Sequence, residues 1–284
     1  MIQKEMIPFH ETCNDNTLAC HMAKLYTGTQ EANNIYYHDA SLTNGAGDNS
    51  YRYAGASDAV NNYVCFGSTT TPCPADNLYR IIGVFGDKVK LIKTTSVGKK
   101  PWDSNRKNTW STSSLNTYLN NEFINTFDET TRGKIAETTW MVGGNIGSKI
   151  KEQPAKTAYH NEIVKPELGS YSTTGETEYT AKIGLMYASD YGFAASPSAW
   201  TANLNTYNDE AIKSANWMYL GINEWTISRS ADRSDFAFRV GDRGFVASNG
   251  LVTLAFEVRP VFNLSSSVNY ASGSGSATDP IVVN

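Results

Sequence analysis

The sequence predicts an α+β fold in which short β-strands dominate. Residues 78–85 and 88–93 alternate and flank a Gly-Asp dipeptide, which is the pattern of a β-hairpin. From Trp225 onward, the chain consists of short β-like runs separated by turn residues. An amphipathic helical pattern over residues 111–127 lies between these two β-rich parts. We therefore expect sheet to form most of the regular structure.

Length and composition limit the class of protein. A chain of 284 residues is long enough for one large domain, or for one domain with an appendage. Aromatic residues make up 12% of the chain, enough to bury a core, and this excludes a disordered protein. No run of about 18 apolar residues occurs, so we expect no direct membrane insertion. The net charge of −4 argues against a nucleic-acid partner, because phosphate binding needs a basic surface.

The first 75 residues form a section that we expect to depend on the rest of the chain. Residues 11–27 have a partly apolar helical pattern, residues 28–58 are polar and rich in Gly and Asn, and residues 59–66 resemble a strand. A section this small cannot hold a core of its own. The sequence predicts an N-terminal helix and loop/β section (1–75) packed on a main domain (76–284).

The hairpin and the helices have recognisable ends. Gly86-Asp87 is the predicted turn, and the alternating lysines of the second strand predict one face in contact with water. Ser111 or Thr112 is the expected N-cap of the amphipathic helix. A second, short helix is expected over residues 133–139, and residues 182–195 read as a strand leading into a short helix.

The last third contains several candidate strands. The pattern predicts short strands at 225–228, 237–240, 244–246, 251–253, 258–264 and 280–283. Pro260 lacks a backbone N–H, so the strand that contains it is expected at a sheet edge or a bulge. Residues 271–276 are expected to form a flexible loop, because they alternate Gly with Ser.

The cysteines indicate an oxidising compartment. All four, Cys13, Cys20, Cys65 and Cys73, lie in the first quarter, and an even number in a loop-rich segment predicts two disulfides. Cys65 and Cys73 flank a turn, while Cys13 and Cys20 could close a short loop. The pairing stays open, as do free thiols and a zinc site. Residues 1–8 lack a signal-peptide pattern, so either the protein is intracellular or a leader is missing; the cysteines favour the second.

Motifs for catalysis and cofactor binding are absent. No G-x-S-x-G, nucleotide-binding glycine motif or paired C-x-x-C occurs, so we expect no enzyme activity, no cofactor and no metal. A glycosidase needs two convergent carboxylates, for which Asp190, Glu210, Glu224 and Asp235 are the candidates. Asp232, Asp235 and Asp242 are close enough in sequence to suggest calcium, but without EF-hand spacing. The six tryptophans are expected mostly in the core, with a minority at a binding face.

Six segments are the landmarks of a resemblance. They are T-L-A-C-H-M-A-K-L-Y (17–26), N-L-Y-R-I-I-G-V (77–84), W-S-T-S-S-L-N-T-Y-L (110–119), A-K-I-G-L-M-Y (181–187), E-W-T-I-S (224–228) and V-R-P-V-F-N-L (258–264). In these segments the chain resembles secreted or surface proteins of gut Firmicutes and their phages that carry a C-type-lectin-like domain of the formylglycine-generating-enzyme type. The resemblance implies a mixed, mainly antiparallel sheet with two helices and long loops.

Some proteins of this family are variable proteins of diversity-generating retroelements, in which adenine-directed mutation of AAY codons changes surface residues near the C-terminus. The corresponding stretch here is residues 230–257, where the apolar or small residues Ala237, Val240, Gly244, Val246 and Val252 look like scaffold. From Arg229 to Phe256 there is no Lys, Gln, Met, Trp or Glu, the types that AAY randomisation cannot produce. A fixed binding surface and plain structural loops are the alternatives. The resemblance implies a ligand-binding surface formed by Asp232, Arg233, Asp235, Phe236, Arg239, Asp242, Arg243, Phe245, Ser248, Asn249, Leu251, Thr253, Leu254 and Phe256.

The resemblance implies a non-enzymatic ligand-binding protein. Its partner would be a protein or a cell-surface glycan, and it would act outside the cell, on the cell surface or on a phage particle. Formylglycine-generating enzymes use cysteines in the C-terminal part of the domain, and none follows Cys73. The calcium-binding tripeptides of sugar-binding C-type lectins are also absent. The alternatives are a structural subunit or adhesin of a surface appendage, and an unrecognised hydrolase.

Overall fold

The computed structural model describes residues 7–168 and 175–284. Residues 1–8 lack a signal-peptide pattern, and the first six of them lie outside the described residues. The described residues form a mixed α+β structure that is mostly sheet, as expected. Its α-helices number eight rather than two, and all are short: α1 (Phe9–Thr12), α2 (Leu18–Ala23), α3 (Ser114–Asn121), α4 (Glu129–Gly133), α5 (Gly147–Ile150), α6 (Ala155–Tyr159), α7 (Ala188–Ala194) and α8 (Glu210–Ser214). The strands are β1 (Ile35–Tyr37), β2 (Tyr51–Tyr53), β3 (Tyr63–Cys65), β4 (Leu78–Phe85), β5 (Lys88–Lys93), β6 (Lys99–Pro101), β7 (Thr138–Met141), β8 (Glu178–Ala181), β9 (Ile183–Gly184), β10 (Glu224–Arg229), β11 (Phe236–Val240), β12 (Val246–Leu251), β13 (Ala255–Glu257), β14 (Val261–Leu264), β15 (Tyr270–Ser272) and β16 (Ile281–Val283).

A nine-stranded sheet forms the centre of the fold. Its order is β15-β16-β3-β4-β5-β14-β9, with β2 paired to β4 and β1 paired to β2. All pairs are antiparallel except β16 with β3. The predicted hairpin β4–β5 is confirmed with its two-residue turn, because Phe85 pairs with Lys88. Strands β1, β2 and β3 come from the first 75 residues, so this one sheet extends across the predicted domain boundary.

The prediction for Pro260 was wrong. Strand β14 lies inside the large sheet, between β5 and β9, rather than at an edge. The sheet tolerates the proline because β14 begins at Val261, one residue later, so no ladder position lacks its N–H. The Pro260 carbonyl still accepts a hydrogen bond from the Lys93 amide, at 3.1 Å.

The prediction of a wet face on β5 was also wrong. Lys90 and Lys93 are only 5% and 4% exposed. Lys90 is neutralised by Asp190, a residue 100 positions later, to which its Nζ donates at 2.5 Å. Local alternation cannot reveal a partner at that distance in sequence.

The predicted helices are partly displaced. The amphipathic helix α3 begins after Ser113, whose hydroxyl accepts a hydrogen bond from the Asn116 amide, so neither predicted cap residue is the cap. The predicted helix 11–27 is divided into α1 and α2. Residues 133–139 do not form a helix, since α4 ends at Gly133 and the β-branched residues from Thr138 pair with β8. Residues 182–195 form β9 and α7, as predicted.

The four cysteines form two disulfides, Cys13–Cys20 and Cys65–Cys73. This confirms the disulfide prediction over free thiols and zinc. The first bridge connects α1 to α2, and the second closes the loop that follows β3. Within the described ranges, no helix has the length and hydrophobicity needed to cross a membrane.

A separate five-stranded sheet carries the C-terminal candidate surface. Its order is β12-β11-β10-β13-β6, in which β10 and β13 are parallel and the other pairs antiparallel. The predicted runs 244–246 and 251–253 are not separate strands, because the single strand β12 covers residues 246–251. Similarly, β15 occupies part of the predicted loop 271–276. All six tryptophans are buried, which leaves none of them on an open binding face.

Candidate ligand-binding site

Residues 230–257 separate into an inner and an outer set. The five predicted scaffold residues, Ala237, Val240, Gly244, Val246 and Val252, are all buried. Of the fourteen candidate binding residues, only Asp235 is buried, while the other thirteen are partly or fully exposed. Alternation along β11 and β12 accounts for part of this division, since successive side chains of a strand point to opposite faces. β-Bulges between Ala237 and Arg239 and between Trp225 and Arg229 modify the alternation.

Arg239 occupies the middle of the outer face. Its guanidinium lies 5.7 Å from the ring centre of Phe245 and 5.2 Å from that of Phe256. Its Nη1 donates a hydrogen bond of 2.5 Å to the side-chain oxygen of Asn223. Burial lowers the pKa of Arg239, and the nearby Asp242 charge acts in the opposite direction. An arginine side chain keeps its charge in proteins, and this one has lost part of its hydration, which favours binding of an acceptor group from a ligand.

Arg239 lines one cleft and contacts two residues, Asn223 and Phe256, that line a second. The first has a volume of about 490 Å³ and is lined by Arg239, Phe245, Ser248 and Asn249 together with Lys151 and Asn205. The second, of about 330 Å³, is lined by Asp242 and Phe256 together with Lys99 and Asn223. The two clefts together contain six of the candidate residues, Arg239 among them. Lys99, Lys151, Asn205 and Asn223 were not predicted, because they come from elements remote in sequence and belong to no motif.

The hairpin tip between β11 and β12 is held by tyrosines from other elements. The buried hydroxyl of Tyr191 donates a 2.8 Å hydrogen bond to the Gly244 carbonyl. The hydroxyl of Tyr219 donates one of 2.8 Å to the Asp242 carbonyl. Gly244 has φ +94°, a conformation that favours glycine. Both tyrosines bind main-chain atoms, so the exposed side chains of Asp242 and Arg243 do not determine the position of the tip.

The loop between β10 and β11 is organised by Asn108. The buried side-chain amide of Asn108 donates to the carbonyls of Ser230, Arg233 and Phe236 at 2.7–2.8 Å. Asp232, although exposed, accepts a 2.7 Å hydrogen bond from the Gly147 amide. These contacts fix the loop, and the exposed side chain of Arg233 lies over the Phe236 ring with 4.5 Å to the ring centre.

Asp235 does not belong to the open surface, and the prediction for it was wrong. It is 7% exposed and lies between two cations. Arg106 approaches one carboxylate oxygen at 3.2 Å, and Arg233 approaches the other at 3.2 Å. Asp235 is therefore a structural partner that positions Arg233.

The remaining candidates lie on other parts of the surface. Leu251 is opposite Phe236 in the β11–β12 register, so the two half-exposed side chains share one patch. Thr253 and Leu254 are exposed in the turn before β13. The structure thus places most of the candidates in three patches: the two clefts beside Arg239, the hairpin tip, and the Arg233–Phe236–Leu251 region. Asp232, Thr253 and Leu254 are exposed outside these patches.

The carboxylates considered for catalysis are engaged in ion pairs. Glu224 is buried against Arg259, Asp190 against Lys90, and Glu210 lies beside Lys213. Together with Asp235, these residues do not form the pair of free carboxyl groups that glycoside hydrolysis requires. Among the residues that the structure describes, no group of three or more His, Cys, Asp or Glu side chains is arranged to hold a metal ion.

The comparison with protein families finds one match. The family described as "Domain of unknown function (DUF6273)" matches residues 86–266, nearly two thirds of the chain. The chain belongs to this family. The region that matches DUF6273 spans β5 to β14 and includes the five-stranded sheet and both clefts. No curated protein and no solved structure matches the chain.

Proposed function

We propose that this DUF6273 protein is a non-enzymatic ligand-binding protein with a C-type-lectin-like domain. Residues 230–257 form its binding face, and it is displayed outside the cell or on a phage particle. The partner is a protein or a cell-surface glycan. In this proposal the face is diversified by a diversity-generating retroelement, acting on codons for the outer residues.

The observation that carries the proposal is the separation of inner and outer residues. A surface can vary without loss of the fold only if the variable side chains lie outside and the constant ones lie inside. Residues 230–257 meet this requirement with the single exception of Asp235. The outer residue types also fit AAY randomisation, since none from Arg229 to Phe256 is Lys, Gln, Met, Trp or Glu.

The chemistry of the face suits recognition of a macromolecule. Phe245 and Phe256 offer apolar anchors beside Arg239, and aromatic residues and Arg are the types that dominate binding energy at interfaces. The clefts are open to solvent, with exposed residues such as Lys99 and Asn249 on their walls. The two disulfides are compatible with display in an oxidising environment.

The direct test removes the outer side chains together. The variant carries Phe236→Ala, Arg239→Ala, Arg243→Ala and Phe245→Ala, and its binding to a glycan array and to intact gut bacteria is compared with that of the original protein. We expect nearly unchanged melting and loss of binding. Retained binding, or collapse of the fold, would contradict the proposal. Phe238→Ala is the matched control on the inner face, where we expect a loss of about 3–5 kcal/mol in unfolding free energy.

A second test addresses diversification alone. The DNA that flanks the gene is sequenced and searched for a reverse transcriptase and for a near-copy of the codons for residues 230–264. A copy that differs from the gene only at adenines supports diversification. Absence of both elements would leave a fixed binding surface as the function.

A further inference from the structure

A third cavity has a lining that shares no residue with the two clefts or with the range 230–257. It has a volume of about 170 Å³ and lies between the large sheet, strand β7 and the π-helical turn His160–Val164 that follows α6. Four aromatic side chains line it, namely Phe85, Trp140, Tyr159 and Tyr187. Met141 and Ile163, both half-buried, lie toward its mouth. We call it the Lys90 cavity, after the lysine in its lining.

The lining of the Lys90 cavity contains two buried cations. Arg52 and Lys90 are 1% and 5% exposed. Arg52 donates from Nη2 to Asp48 at 2.5 Å and from Nε to the Ser50 hydroxyl at 2.8 Å. Lys90 donates from Nζ to Asp190 at 2.5 Å. Two cations therefore face two carboxylates, and the formal charge of this group is balanced.

Hydrogen-bond donors are in excess in this lining. Arg52 Nη1 has no hydrogen-bond partner among the described residues, and it is 3.6 Å from Asp190 Oδ1, too far for a hydrogen bond. An ammonium group carries three N–H donors, and the described part of the chain supplies an acceptor for one of those on Lys90. The one carboxylate oxygen without a partner there is Asp190 Oδ1. Such groups are costly to bury unless another molecule satisfies them.

We propose that the Lys90 cavity binds a small uncharged molecule that carries a primary amide on a ring-sized apolar body. The amide oxygen accepts from Lys90 and Arg52, and the amide N–H donates to Asp190 Oδ1. A primary amide is the complement of this lining, because it combines one strong acceptor with two donors. The aromatic walls receive the apolar body, and a cavity of roughly 150 Å³ is known to hold a benzene ring.

Charge balance argues for an uncharged ligand. The two cations of the lining are already paired with Asp48 and Asp190, so a carboxylate or an amine would add an uncompensated charge in a buried site. Glu162 is fully buried next to this group, and burial raises its pKa. Its carboxyl group supplies no positive charge that could compensate a bound carboxylate. A purely apolar molecule would fill the walls but leave the donors unsatisfied.

Benzamide is the probe, and its binding to the full chain is measured by calorimetry and by shifts of the Trp140 indole resonance. Benzoate, benzylamine and toluene are matched in size and differ in charge or polarity. We expect benzamide to bind at least about tenfold more tightly than each of the three, as the loss of one hydrogen bond to a charged group implies. Absence of benzamide binding, or equal binding of benzoate, would overturn the proposal.

Variants of the π-helical turn locate the binding. Ile163→Trp fills the cavity from its wall, while Val164→Trp places the same side chain at the next position, which is 59% exposed and does not line the cavity. We expect Ile163→Trp to abolish benzamide binding and Val164→Trp to retain it. Met141→Trp serves as a second filling variant if Ile163→Trp fails to fold, as judged by circular dichroism. Retained binding in a folded filling variant would refute this site without affecting the proposal for residues 230–257.

Discussion

Arg259 donates two hydrogen bonds to Glu224, from Nε at 2.6 Å and from Nη2 at 2.8 Å. Both side chains are buried, and Arg259 Nη2 also donates to the Met218 carbonyl at 2.9 Å. Glu224 begins β10 of the five-stranded sheet, whereas Arg259 lies just before β14 of the large sheet. The pair therefore connects the two sheets at the point where the chain passes from one to the other.

Removing either partner of this pair should destabilise the protein strongly. We expect Glu224→Ala or Arg259→Met to lower the unfolding free energy by about 3–5 kcal/mol, because each leaves a buried charge without its partner. Urea denaturation provides the measurement. Lys213→Met is the control, since its partner Glu210 is exposed. The role of the pair is refuted if Lys213→Met loses as much as the two variants of the buried pair.

Asn108 should determine the stability of the loop between β10 and β11. Asn108→Ala removes a donor from the carbonyls of Ser230, Arg233 and Phe236, of which Phe236 keeps the Ser230 amide, and we expect a loss of about 1–3 kcal/mol. Asn105→Ala changes an exposed neighbour and should have little effect. Hydrogen exchange of residues 230–236, measured together with thermal unfolding, distinguishes local loosening from global loss. Unchanged exchange in Asn108→Ala would show that the loop is held by other contacts.

Gly250 and Gly133 should respond in opposite ways to alanine. A Cβ at Gly250 would lie 2.4 Å from the Trp225 ring and 2.9 Å from the Ala237 carbonyl, so Gly250→Ala should destabilise by roughly 1–3 kcal/mol. A Cβ at Gly133 meets nothing within 4 Å, and its φ is not positive, so Gly133→Ala should stabilise by about 0.4–1 kcal/mol. Melting temperatures of the two variants provide the comparison. A stabilised Gly250→Ala would mean that Trp225 is free to move.

Stability should fall as the solution becomes mildly acidic, because His38 is fully buried. Burial, aided by the Arg52 charge, lowers the pKa of His38 well below 6.5, while Asp48 acts in the opposite direction. The unfolded chain takes up this proton near pH 6.5, whereas the folded protein resists it. The contribution of His38 is thus complete above pH 6.5 and is lost below it, by about 1 kcal/mol between pH 6.5 and 5.5.

The pH dependence is tested with two histidine variants. His38→Gln should reduce the loss of stability in this range, and His160→Gln, at an exposed position, should leave it unchanged. His21, whose pKa is also lowered by burial, accounts for a remaining part of the slope. Identical pH profiles for the original protein and His38→Gln would contradict the assignment.

Local patterns predicted those parts of the fold that depend on neighbours in sequence. The hairpin β4–β5 was predicted to the residue because its alternation and its Gly-Asp turn lie within one segment. The burial of Lys90 and Asp235 was not predictable, since Asp190 is 100 residues from Lys90 and Arg106 is 129 residues from Asp235. The residues 230–257 were predicted as a surface, but Lys151 and Asn223 in its clefts were not, because only the tertiary structure brings them to Arg239.

The tyrosine contacts at the β11–β12 tip have a practical consequence. Tyr191 and Tyr219 donate hydrogen bonds to main-chain carbonyls rather than to side chains. These two contacts of the tip therefore do not depend on the side chains at positions 242 and 243. A combinatorial library at these two positions, extended to 248 and 249, would start from one rigid geometry. The protein is accordingly a suitable starting framework for selecting engineered binders by display.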